Sequence, residues 1–188
     1  MSFFDDMKNF GLVALVVGLI NIIVGIVAAA YAGGAWGGYV VAAGTIIFGL
    51  LVALYALKVH SGEIGEKINI LGKFVGVIGL ANIVMGVCSA IVGDYTGGAI
   101  DIIVGLIMLF CSYKMMDNQV TTLDKIIWIL LLIVFVLGII GGLLGIFVIF
   151  VGTIEAIMLG VGALFSMLLY IFLILMLLSP DVKSKMGM

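Results

Sequence analysis

The sequence predicts an all-α, multi-pass membrane protein. Six transmembrane helices form three tandem, parallel two-helix hairpin repeats, with both termini cytoplasmic. Three observations lead there. Hydrophobic residues make up 65% of the 188 and charged residues only 10%, with a mean hydropathy of +1.49. A soluble domain could not cover that much apolar surface, so the bilayer is the solvent for most of the chain. Apolar runs long enough to cross it recur six times. One phrase also repeats. Gly18-Leu19-Ile20-Asn21-Ile22-Ile23-Val24-Gly25 returns as Gly79-Leu80-Ala81-Asn82-Ile83-Val84-Met85-Gly86. Its glycine frame returns again as Gly138-Ile139-Ile140-Gly141-Gly142-Leu143-Leu144-Gly145, with glycine in place of the asparagine.

The six runs lie at about 9–32, 38–57, 73–93, 98–116, 126–149 and 154–178. Each approaches the ~20 residues a helix needs to cross ~30 Å of hydrocarbon. They lack the alternation of barrel strands, and helices satisfy their own backbone in lipid. The chain is one membrane domain with hairpin units at about 9–58, 73–116 and 126–178. Residues 11–27 could imitate a signal-peptide core ahead of Ala30-Tyr31-Ala32. Asp5 and Asp6 against Lys8 give that segment the wrong flanking charge, and it is also the first repeat unit, so it is read as a retained span. Gly-rich stretches at 32–38 and 93–98 mark the first two hairpin turns, and the repeat puts the third near Phe150-Val151-Gly152-Thr153.

Charge sets the orientation. Lys8, Lys58, Lys67, Lys73, Lys114, Lys125, Lys183 and Lys185 fall in the N-terminus, loop 2–3, loop 4–5 and the C-terminus, or at span ends flanking them. The other three loops hold no cation, which by the positive-inside bias makes both termini cytoplasmic in the cell membrane. Trp36, Tyr39 and Tyr95 are then expected at the outer interface and Trp128 near the inner one. Loop 59–72 is the one sizeable polar segment, with Glu63 and Lys67 spaced to pair on a short helix.

On the helix face following each repeat, small residues dominate: Gly18 and Gly25, Gly79 and Gly86, and Gly138, Gly141 and Gly145. In lipid, helices associate by close backbone approach and polar contacts, so these are the expected helix-packing residues. The simplest arrangement sets the odd-numbered spans nearest a pseudo-threefold axis along the membrane normal. A second small face, Gly37, Gly44, Ala53 and Ala56, could pack internally or against another copy.

Few residues could carry chemistry. Asn21 and Asn82 sit mid-span, either bonding between helices or lining a polar path. Aligning Gly49 with Gly105 superposes Thr45 on Asp101, which lies thirteen residues before Lys114. An intramembrane carboxylate is a functional candidate, set against a rim residue that reaches water. Glu155, just after the third turn, is a weaker candidate of the same kind. His60 stands alone, and no cluster of His, Cys or carboxylates completes a metal site. Cys88 and Cys111 lie roughly 15–20 Å apart in depth, too far for a disulfide. No nucleophile–base pair or phosphate loop appears, so no catalytic residue, metal or cofactor is expected. Scattered cations give no nucleic-acid surface.

The rhythm of Gly18-Leu19-Ile20-Asn21-Ile22-Ile23-Val24-Gly25-Ile26 and Gly44-Thr45-Ile46-Ile47-Phe48-Gly49-Leu50-Leu51, across three two-span units, resembles the DUF308/HdeD-like family of small six-span prokaryotic membrane proteins. That resemblance implies an association with acid or envelope stress and supplies no catalytic residues. The leading expectation is a non-enzymatic structural or accessory membrane component. Its partners would be the lipid bilayer and, in the membrane, other proteins or further copies of itself. The alternative is a small channel or transporter for protons, a cation or a small neutral solute, using Asn21, Asn82, Thr45 and Asp101.

Overall fold

The computed structural model describes residues 6–117, 119–152 and 154–188, without the side chains of 154–156, 158 and 159. Seven α-helices follow in order: α1 (Met7–Tyr31), α2 (Trp36–His60), α3 (Lys67–Ile91), α4 (Tyr95–Met115), α5 (Thr122–Ile146), α6 (Ile154–Leu177) and the short α7 (Pro180–Lys185). The first six are long and apolar enough to cross a membrane. No strand occurs among the described residues.

Several helices outrun their apolar segments, because burial extends beyond the hydrophobic run. Val59 is buried at the end of α2, and the chain reverses just after it at Gly62, whose φ of +80° suits a residue without a β-carbon. Then α3 begins at Lys67, because Ile68, Ile70 and Leu71 are buried in its first turn. The expected loop 59–72 therefore shrinks to residues 61–66, and the short helix expected there does not form. Glu63 pairs with Lys58 at 3.0 Å, not with Lys67. Asp94 caps α4 by accepting from the Gly97 N–H at 2.9 Å. Asp124 starts α5 by accepting from both the backbone N–H and the hydroxyl of Thr121. The third turn is a 3₁₀ segment, Phe147–Val151, ending on Gly152 at φ +77°. Thr153, named for that turn, lies outside the described residues.

The tightest core sits at the end that carries the lysines. Phe10 packs edge-on against Tyr55, Phe74 and Phe172, at centroid distances of 6.3, 6.0 and 5.9 Å. The Tyr55 hydroxyl donates to the Ile70 carbonyl at 2.7 Å. Trp128, expected at the inner interface, is instead buried. Its indole N–H donates to the Leu177 carbonyl at 2.9 Å, which satisfies the one polar atom that would have kept it in the interface. After Ser179, α7 folds back under the bundle with Val182 and Met186 buried, and Lys185 reaches Glu66 at 3.0 Å. At the opposite end Tyr31, Trp36, Tyr95 and Phe150 are exposed.

The small-residue faces meet their own hairpin partners and not a central axis. The odd-numbered spans α1, α3 and α5 do not pack closely on one another among the described residues. A β-carbon added at Gly18 would lie 2.7 Å from the Ala53 nitrogen and 2.8 Å from the Gly49 oxygen. One added at Gly79 would lie 2.8 Å from the Gly105 oxygen and 2.9 Å from the Leu109 nitrogen. Gly25 and Gly86 stand likewise against Ala42 and Gly98. The reason is that the even-numbered spans carry glycines too, so two connected antiparallel helices can bring their backbones together. The second small face is used internally. Gly44 abuts Met85 and Cys88 on α3 and Gly37 abuts Val92, while Ala53 abuts Gly18 on α1.

The third hairpin differs. Gly138 receives the ring of Tyr170, at 2.7 Å, where its counterparts receive a helix backbone. Gly145 meets the Ala163 side chain. Gly141, expected on the contact face, is exposed with nothing within 4 Å, and Gly142 takes the contact, against Met167 and Ala163. The Tyr170 ring sits between α5 and α6, and a wedge of that size accounts for the changed contact face.

Candidate functional site

Short turns and matched hairpin lengths bring the middles of the first three helices to one level. Asn21 lies ten residues from the Tyr31 end of α1, while Thr45 and Asn82 lie nine from the matching ends of α2 and α3. That is about 15 Å of helix in each case. At this depth all six long helices bound a cavity of about 440 Å³, and Asn21, Thr45 and Asn82 all line it. Three of the four residues of the transport reading therefore converge. They lie among apolar side chains, including Phe48, Met85, Met108 and Tyr170, and no charged side chain is among them.

The polar groups are only partly satisfied by protein. The Asn21 amide donates back to the Val17 carbonyl, four residues earlier, at 2.8 Å. The Thr45 hydroxyl donates to the Val41 carbonyl at 3.0 Å in the same way. These bonds run along single helices, so neither residue forms the interhelical bond that would fix register. Asn82 makes no side-chain hydrogen bond among the described residues, although it is half-buried. No side-chain polar atom among the described residues is both buried and unpartnered, so the Asn82 amide is accessible and free to bond a molecule in the cavity.

Toward the lysine-bearing end the cavity is closed. Phe48 and Ile78 line it, and below them come Tyr55 and Phe74 on the same two helices, sealed by Phe10 and Phe172. Phe10, Phe74 and Phe172 have 1% exposure or less, so the cluster leaves no room for a water column there.

Asp101 is not part of the lining. Its helical position is equivalent to that of Thr45, since Gly49 faces Gly18 and Ile22 while Gly105 faces Gly79 and Ile83. The difference lies in the neighbours. α2 is held between α1 and α3, whereas α4 packs on α3 and scarcely touches α5. Asp101 is half-buried one turn from Val104, on the side away from the lysine-bearing end, and Val104 does line the cavity. Glu155 lies outside the residues whose side chains are described. His60 is exposed at the end of α2, with Nδ1 3.2 Å from the Lys8 carbonyl oxygen. No group of three His, Cys, Asp or Glu that could hold a metal occurs among the described residues.

Sequence reasoning missed Tyr170. The signal was present, because it is the one tyrosine in the sixth span, and its ring lies against Gly138 of the α5 glycine frame. No family model matches this chain, and neither a curated protein nor a solved structure matches it.

Proposed function

We propose that this chain is a non-enzymatic integral membrane protein that holds a small uncharged molecule in its mid-membrane cavity. The convergence of Asn21, Thr45 and Asn82 on one cavity supports this reading. Neutral amides and a hydroxyl can orient a neutral molecule, and a cavity of about 440 Å³ falls in the ~300–1,000 Å³ range of small-molecule sites. A proton or metal cation would call for a carboxylate in the lining, and Asp101 stands outside it. The three-hairpin repeat and cytoplasmic termini belong to the same proposal. The distribution of lysines supports the orientation, since α1, α3, α5 and α7 begin, and α2 and α4 end, at the lysine-bearing end.

The test is thermal unfolding of the purified chain in nanodiscs against short alcohols, amides and phenols, with sodium, potassium and calcium in parallel. A molecule that binds only the folded state raises the midpoint as its concentration rises. Uncharged compounds are expected to raise it, and Asn82→Leu to shift the effect to about fivefold higher concentration. If no uncharged compound does so, the reading fails. A structural or accessory role then takes its place, and a stoichiometric protein partner from native membranes is what would support it.

A further inference from the structure

We infer that the occupant of this cavity is an uncharged amphiphile drawn from the bilayer itself, with an apolar body and one hydrogen-bonding oxygen, entering between α4 and α5. The inference rests on the cavity being a site for an uncharged molecule, and it names the class and the route.

The route follows from how the hairpins close on one another. The first and second meet through α2 and α3, and the first and third through α1 and α6. The second and third are nearly apart, since α3 touches α6 lightly and α4 scarcely touches α5. Along that seam the cavity wall includes Val104 from α4 and Val134 from α5. Val104 is 41% exposed, and Ile103, Ile107 and Ile133 around it are exposed as well. The cavity is partly open, and in a bilayer these exposed side chains would face hydrocarbon along the seam.

The class follows from the lining. Phe48, Met85, Met108 and Tyr170 offer an apolar surface, and the unbranched methionines can fit an irregular body. A water-borne solute would have to shed its hydration shell to enter and would regain at most three polar partners. A molecule already dissolved in the bilayer has shed it. Its oxygen would accept a hydrogen bond from the Asn82 amide, which has no protein partner among the described residues. A charged headgroup has no counter-ion here and is excluded by its desolvation cost.

The experiment uses the full chain in liposomes with a long-chain primary alcohol that carries a diazirine in its chain. After photolysis, labelled positions are mapped by mass spectrometry. Labelling is expected at Met85, Met108 and Tyr170, saturating with probe and displaced by the unlabelled alcohol, which needs no variant. Lipid-facing positions such as Leu54 and Leu137 should label without saturation. Asn82→Leu should weaken saturable labelling by about fivefold, the worth of one hydrogen bond. Val104→Trp with Val134→Trp, which thickens the seam, should lower it further. Labelling that never saturates, or that ignores the thickened seam, overturns the inference. If short alcohols still raise the unfolding midpoint in that case, the cavity binds uncharged molecules from water, and only the bilayer route fails. If they do not, both readings fail.

Discussion

Gly49 and Gly18 stand backbone to backbone. A β-carbon on Gly49 would come within 2.6 Å of the Gly18 oxygen, and one on Gly18 within 2.8 Å of the Gly49 oxygen. The same relationship joins Gly105 and Gly79, at 2.6 and 2.8 Å. Contacts this short on both sides involve main chain, which cannot rotate away. Gly18→Leu and Gly79→Leu should therefore each destabilise by about 3 kcal/mol or more, at or above the upper end of ordinary overpacking. Gly141→Leu meets open space and should cost little beyond propensity, within ~0.5 kcal/mol. Denaturant titration in mixed micelles reads the difference. Equal tolerance at all three positions would remove close backbone approach as the basis of the hairpins.

That contrast also marks how far the sequence could be read. Periodicity showed that Gly18, Gly25, Gly79 and Gly86 share helix faces, because spacing alone determines a face. It did not show which helix each face meets, since small faces fit any small partner, and spacing alone does not single out Gly49, Gly98 and Gly105 as the partners of Gly18, Gly86 and Gly79. Gly141 was misplaced because the third copy was aligned on its glycine frame, while the Tyr170 ring changes the face that α5 presents. Asn21, Asn82 and Thr45 were legible as a set because they are polar residues at equal depth in apolar runs. Asp101 shared that depth by alignment yet lies off the cavity, a difference that depends on the loose α4–α5 seam and on no local pattern. The first turn of α3 and all of α7 escaped a hydropathy reading because their burial is amphipathic, with Lys67 beside Ile68 and Lys183 beside Val182.

Asp101 and Asn82 should separate cleanly by function. Asp101 has no hydrogen bond or ion pair among the described residues and does not line the cavity. Asp101→Asn should leave the alcohol-induced rise in unfolding midpoint unchanged. Asn82→Leu should move it to about fivefold higher alcohol concentration, the worth of one hydrogen bond, while keeping the helical circular dichroism spectrum of the parent. The opposite ranking would return the carboxylate to the centre of the mechanism.

Acid should weaken the bonds that close the C-terminal end of α4 onto the loop leading to α5. Asp117 accepts from the Lys114 ammonium and from the Gln119 N–H, and these bonds, the lysine's first, hold its carboxyl below the usual carboxylate range. A depressed folded-state pKa contributes stability that is present above the unfolded value of ~4 and is lost as pH falls through the folded value. The parent should therefore melt above Asp117→Asn at pH 7, and the gap should close in strong acid. A gap that widens on acidification would contradict the assignment.

The C-terminal helix should matter through its apolar face and hardly at all through its charges. Val182 and Met186 are buried beneath the bundle, and Ser179 turns the chain there by donating to the Met176 carbonyl at 2.7 Å. Lys185 and Glu66 are both well exposed, and such pairs are worth about 0–1 kcal/mol. Met186→Ala empties a filled site and should cost about 2–5 kcal/mol. Lys185→Ala should be close to neutral, and less so only at low salt. Lys183 is intermediate, with its ammonium 5.8 Å from the Trp128 ring centroid, an attraction worth about 0.5–1 kcal/mol at an exposed site. Ending the chain at Ser179 should match or exceed the loss from Met186→Ala. It should also expose Trp128, read as a red shift and stronger quenching of its fluorescence by acrylamide. A truncated chain with unshifted Trp128 emission would mean that α7 does not cover the lysine-bearing end of the bundle.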